Sequence, residues 1–236
     1  MASHDGLIHL HCGDASAEVH RRSGLPGSVR IWRDSPAVGP WTADASRLPG
    51  LRVAWWGLPA DEVPARLVLE DLGGTAEPVL WFGPDPWEQA CLLWVLAELP
   101  EGSLSDLVPL DRNVAQLPPA ALPGLFVQRI LLDEDTLVQA RSLWGGFLEG
   151  GWGALAGCGI SALPWLARAL ARLAEDHPVE GPGRTRMQIR GLLDQGVQAL
   201  PALMAGLQKL EDPRHGAWYG DRFVAKVVES MEARLG

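Results

Sequence analysis

The chain has 236 residues, room for one large domain or two small ones, and its 47% hydrophobic and 21% charged residues are ordinary for a globular protein. That balance excludes a disordered chain, and no uninterrupted apolar run reaches the ~20 residues a bilayer-spanning helix needs. The formal charge of −9 repels polyanions; from Glu180 onward eight basic residues meet seven acidic ones, so the acid excess lies in the first 179 residues and general nucleic-acid binding is disfavoured.

Met1 to Gly6 has no basic stretch leading into an apolar run, so no secretory signal is read there and a cytoplasmic location is expected. Cys12, Cys91 and Cys158 are widely spaced and form no C-x-x-C pair, which predicts reduced, buried thiols.

In chain order, Leu7 to Cys12 reads as an apolar strand ending at Gly13-Asp14, and Ala15 to Ser23 as a short helix closed by Gly24. Val29 and Ile31 alternate with Arg30 and Trp32 as in a second strand, broken by Arg33-Asp34-Ser35-Pro36. Local propensity makes Leu51 to Trp56 a strand. Asp61 to Leu72, followed by Gly73-Gly74, is punctuated as a helix, and Pro78 to Phe82 as a buried strand. The best-marked helix follows: Asp85 is placed to cap, Pro86 suits the first helical position, and Glu88 completes a capping box. Leu104 to Leu110 is the next strand candidate. After a Pro/Ala-rich loop and the Phe126 to Leu132 segment, Asp133 is placed to cap a helix reaching about Glu149.

From there strand signals stop. A glycine-rich loop, Gly150 to Gly159, leads to an amphipathic helix from Leu163 to Ala174 with Arg168 and Arg172 on its polar side. His177 to Gly183 is a linker, and helices over Thr185 to Gln195, Ala199 to Leu210 and Asp221 to Leu235 complete the chain. The predicted fold is therefore α/β, a parallel, Rossmann-like sheet with helices on both faces over residues 1–132, followed by an all-helical part over 133–236.

Several stretches together resemble the bacterial family catalogued as domain-of-unknown-function 1835. They are Leu7-Ile8-His9 leading to Gly13-Asp14, then Gly24-Leu25-Pro26-Gly27, Ile31-Trp32-Arg33-Asp34 and Gly39-Pro40. Further on come Val79-Leu80-Trp81-Phe82 with Asp85 and Gln89, then Leu163-Pro164-Trp165-Leu166, Arg184-Thr185-Arg186-Met187-Gln188-Ile189 and Gly220-Asp221. The likeness covers most of the chain. It implies an α/β N-terminal half and a winged-helix-like segment from about residue 184, it makes Leu51 to Trp56 helical, and it implies no activity. The chain departs from the family pattern at Cys12, where Asn is usual, and at His11, where an apolar residue is usual.

In open α/β sheets ligands collect outside the carboxyl ends of the strands. The loops there carry the candidate ligand-binding set: Gly13 and Asp14 after the first strand, Arg33 and Asp34 after the second, Asp85 and Gln89 after the strand ending at Phe82, with His9 on the first strand itself. The competing reading makes Asp14 and Asp85 helix caps and pairs Arg33 with Asp34. His9 and His11 share one strand face, but no third ligand is identifiable, so no metal site is expected. Neither the dinucleotide fingerprint, the P-loop nor a Gly-x-Ser-x-Gly elbow occurs, and the motifs name no cofactor. Eleven tryptophans, scattered along the chain, suit core filling and the junction between the halves.

These features predict a small polar ligand or nucleotide, or a protein partner, bound through the α/β half, with the helical half serving regulation or assembly, a second copy of the chain being one partner for it. Nucleic acid and membranes are not the expected partners. Two alternatives stand beside this: a nucleotide- or phosphate-handling enzyme using Asp14, Asp34 and Asp85, and a winged-helix transcriptional regulator.

Overall fold

The computed structural model describes residues 7–44, 46–59, 77–212, 216 and 219–232. The helix expected from Asp61 to Leu72 lies outside them, as does the end of the helix expected to reach Leu235. The elements run β1 (Leu7–Cys12), α1 (Asp14–Arg21), β2 (Ser28–Trp32), α2 (Leu48–Trp56), β3 (Glu77–Trp81), α3 (Pro86–Glu98), β4 (Ser105–Leu107), α4 (Leu122–Phe126), β5 (Ile130–Leu132), α5 (Glu134–Gly150), α6 (Leu166–Asp176), α7 (Arg184–Asp194), α8 (Leu200–Leu210) and α9 (Asp221–Glu232).

The five strands form one sheet in the order β2-β1-β3-β4-β5. The first four are parallel, with His9 opposite Val29 on one side and Val79 on the other. β5 runs antiparallel to β4, so the sheet is mostly parallel rather than wholly so. A three-residue strand carries no directional signal in its sequence, which is why its orientation escaped the sequence reading. The strand order reverses between β1 and β3, and the crevice above that point is where α/β sheets gather ligands.

Because side chains alternate along a strand, the sheet feeds two separate layers. Ile8, Leu10, Leu80, Phe82 and Leu107 point into the main core, which continues through α3, α5 and α6 to Val224 and Met231 of α9. Val79 and Trp81 point the other way, against Val19 of α1 and against Leu122 and Phe126 of α4. Buried residues run continuously from Gln89 to Leu96 in α3, as expected of a helix clamped between the sheet and α5 and α6. Replacing a fully buried member such as Leu93 by alanine costs about 2–5 kcal/mol. Trp32, Trp81, Trp94 and Trp152 are fully buried, so much of the tryptophan content is core.

Leu51 to Trp56 is helical, overturning the local strand reading. Pro49 sits in the first turn of α2 and Gly57 closes it in the left-handed region (φ 67°), its N–H donating to Val53 O at 2.9 Å. This is ordinary helix punctuation around a run whose aromatic residues favour strands in isolation.

Candidate functional site

The loops at the carboxyl ends of β1, β2 and β3 do meet. Gly13 N–H donates to Trp32 O at 2.8 Å, joining the ends of β1 and β2, and Ser35 Oγ donates to Trp87 O at 3.2 Å, joining the loop after β2 to the first turn of α3. The charged groups on this rim are mutually engaged. Gly13, not Asp14, is the N-cap of α1, and Asp14 is its first residue. The Asp14 carboxylate accepts from Arg33 Nε at 3.0 Å and Nη2 at 2.7 Å, and this guanidinium holds it below the usual carboxylate range. Arg33 thus pairs with Asp14 rather than with Asp34.

Asp34 pairs instead with Arg52 of α2, a residue the sequence reading passed over. Arg52 Nε donates to Asp34 Oδ2 at 2.7 Å and a second, shorter bond joins Nη2 to Oδ1. The same guanidinium donates to Val38 O at 2.6 Å and Pro40 O at 3.2 Å, so one buried cation fixes the loop from Asp34 to Pro40. Trp41, Trp55 and Trp56 surround it, with ring centroids 5.1–5.7 Å from its guanidinium carbon. A lone arginine in an apolar run is the signal that would have found it.

Asp85 caps α3, accepting from Trp87 N–H at 2.8 Å and Glu88 N–H at 3.2 Å. Glu88 departs from the expected capping box: its carboxylate accepts from Gly83 N–H and from Asn113 Nδ2 at 2.8 Å. Asn113 in turn accepts from Ser16 Oγ at 3.1 Å. Burial, followed by the nearby Asp85 charge, pushes the Glu88 carboxyl well above its ordinary value. Gln89 donates to Gly83 O at 2.7 Å and lines a small cavity between the ends of β3 and β4 and the Leu163-Pro164-Trp165 segment.

His9 lies below the rim, inside the sheet. Trp81 Nε1–H donates to its Nδ1 at 3.1 Å, so its Nε2–H faces Pro26 O at 2.9 Å and both nitrogens are occupied. His11 and His20 are linked at 2.9 Å. Among the described residues no three histidines, cysteines or carboxylates are arranged to hold a metal ion. Cys12 Sγ stands 3.9 Å from Cys91 Sγ, and that contact together with burial pushes its thiol well up, so it is a poor nucleophile.

One opening touching this end of the sheet lies where the loop after β2 meets the helical half. Ala37, Val38 and Gly39 form one wall of a cleft of about 690 Å³, the turn from Asp176 to Arg186 forms another, and Phe223 and Val227 of α9 form the third. Gly39 is in the left-handed region (φ 72°) with the Trp55 ring pressed against it, so a side chain there would clash with the ring and strain the backbone. His177 Nε2 meets Ala37 O at 3.0 Å and divides this cleft from a second one, of about 720 Å³, lined by Trp41, Trp152 and Gly150 to Gly153.

Below the cleft lies a polar network. Asp176 accepts from Thr185 N–H at 2.8 Å, from Thr185 Oγ at 3.0 Å and from Tyr219, and lies 2.9 Å from Arg172 Nη1. Arg172 also pairs with Glu211 at 2.7 Å. Arg172 is therefore a buried pillar, not a member of the outward polar face assigned to it from periodicity. Its partners come from 4 and 39 residues away, and only folding brings the distant one. Among the described residues Arg186, which lines the cleft, has one bond, to Ser230 O at 3.4 Å, and no carboxylate lies within ion-pair distance of it.

No model of a known protein family matches the chain, and no curated protein is detectably similar to it. Among the described residues no helix is long and apolar enough to cross a membrane.

Proposed function

We propose that this protein binds a small polar ligand carrying a negative charge, held in the cleft between the loop after β2 and the helical half. The observation that carries this is Arg186: a guanidinium lining a cleft of ligand-sized volume, beside a carboxylate, Asp176, that already accepts three hydrogen bonds and is ion-paired with Arg172. Phe223 and Val227 supply an apolar wall, and Gly181 and Gly183, which have no side chains, bring backbone alone to the cleft. Asp34 enters as a positioning residue, since its bond to Arg52 fixes the loop that forms the opposite wall. Asp14 ties the start of α1 to Arg33 of the loop after β2, and Asp85 caps α3. We read the sheet as Rossmann-like and α7 to α9 as the winged-helix-like unit. Val224 and Met231 of α9 are buried in the core, which supports a packing role for that helix over the reading of DNA.

The test is a thermal-shift screen of the intact chain against nucleoside phosphates, sugar phosphates and dicarboxylates, followed by titration of any hit against Arg186→Ala. A ligand at a hundred times its Kd stabilises by about 2.7 kcal/mol. The variant is expected to keep the unliganded Tm and lose most of the ligand-induced rise. A panel in which every rise survives Arg186→Ala would overturn the proposal.

A further inference from the structure

β5 (Ile130–Leu132) ends the sheet at the edge opposite β2, whose following loop walls the cleft. Its backbone pairs on one side with β4, and among the described residues nothing pairs with it on the other. Such an edge is a template for a further strand. It is also apolar. Leu131 is 62% exposed, and Ile130, Val127 just before the strand and Leu104, next to the β4 residue that meets Leu132, are exposed as well.

The charges around this edge select the partner. Set against a reversed copy of itself, Arg129-Ile130-Leu131-Leu132-Asp133 places Arg129 opposite Asp133 at each end and Leu131 opposite Leu131 at the centre. Opposed residues of an antiparallel pair lie on one face, and the alternate positions 129, 131 and 133 share one. The polar atoms complement each other too. Arg129 donates from Nε to Asp106 at 2.6 Å and from Nη1 to Phe126 O at 3.1 Å, while Asp133 accepts both Thr136 bonds at Oδ1. Among the described residues this leaves a donor, Nη2, on one end of the edge and an acceptor, Oδ2, on the other. A parallel copy would instead set Arg129 against Arg129. The other edge strand, β2, has the exposed Arg30 at its centre, so self-pairing there would oppose two arginines.

We propose that β5 is the seat of a twofold dimer, in which the β5 strands of two copies of this chain pair antiparallel about Leu131 and join the two sheets across the axis. The Arg129–Asp133 pairs fix the register, and Leu131, with Val127 and Leu104 beside it, supplies the apolar area. A three-residue strand with its flanks is a small contact by the standard of permanent dimers, so the assembly forms and dissociates with concentration.

The experiment is sedimentation velocity on the intact chain up to ~100 µM, where a micromolar dimer is populated. Leu131→Lys, at an exposed position, sets like charges across the axis. It is expected to keep the Tm and to raise the dimer Kd at least about tenfold. Leu131→Cys, treated with oxidised glutathione, is expected to yield a disulfide-linked dimer. Val179→Cys, on the exposed turn near the cleft, measures cross-linking by random collision and is expected to react far more slowly. If Leu131→Lys lowers the Tm, the comparison of the two cysteine variants decides alone. A chain that stays monomeric throughout, a dimer whose Kd is unmoved by Leu131→Lys, or equal cross-linking of the two cysteine variants would each overturn the proposal.

Discussion

Arg52 reaches back eighteen residues from α2 to Asp34, and the pair is buried, with side chains 2% and 9% exposed. Removing one partner of such a pair leaves an uncompensated charge in a low-dielectric interior, which costs about 3–5 kcal/mol. Asp34→Ala is therefore expected to lower the unfolding free energy by that amount in urea titrations, and to loosen the loop whose carbonyls Arg52 also binds. A loss below about 1 kcal/mol would show that the loop is held by its tryptophans alone.

Asp14 provides the contrast. Its bidentate contact with Arg33 has comparable geometry, but both side chains face solvent, 65% and 47% exposed, and water and salt screen the attraction. Asp14→Ala is expected to cost less than about 1 kcal/mol in the same titration. Two aspartates that look equivalent in the sequence, each next to a strand end, should thus differ severalfold.

That difference marks the boundary of what could be read from residues in order. Asp85 before Pro86 and Asp133 before a helical run were legible because a cap acts within three residues, and both do cap: Asp133 accepts from Thr136 N–H at 2.9 Å. The alternation of Val29 and Ile31 with Arg30 in β2 was legible for the same reason, since its period is local. The partner of Asp34 was not, because Arg52 becomes its neighbour only when α2 folds over the loop. Likewise Arg172 satisfied the helical period of a polar face, and only Glu211, far along the chain, turns that position inward. The rim of strand ends was legible from the α/β pattern alone, while the clefts were not, since each has walls drawn from segments more than a hundred residues apart.

The histidines give the chain a predictable response to acid. His20 is buried against His9 and His11, with ring centroids 4.3 and 4.7 Å away, and no carboxylate among the described residues lies within ion-pair distance of it. Burial first, then the neighbouring His9 and Arg21 charges, lower its pKa to about 4 from an ordinary 6.5. His9 and His11 are lowered in the same direction. Between pH 6.5 and 4 the unfolded chain binds the proton and the folded one does not, so stability is complete above about 6.5 and falls as the pH drops. For His20 the loss approaches about 3 kcal/mol at pH 4. Imidazole titration by NMR should give a midpoint near 4 for His20; a midpoint near 6.5 would mean the ring is solvated.

The Arg172 network makes a sharper test, because it separates the worth of a pair from the cost of breaking it. Arg172→Met would leave Glu211 and Asp176, with side chains 4% and 11% exposed, without their principal cation. The expected loss is again about 3–5 kcal/mol. Arg172→Met combined with Glu211→Leu removes the second charge along with the first, while Asp176 keeps its bonds from Thr185 and Tyr219. Replacing both members of a buried pair by apolar groups of similar volume is often close to neutral. The double variant is therefore expected to unfold at a higher urea concentration than the single one. If the two lose equally, the damage lies in packing around the α6 stem rather than in the orphaned carboxylate, and the network's electrostatic role falls with it.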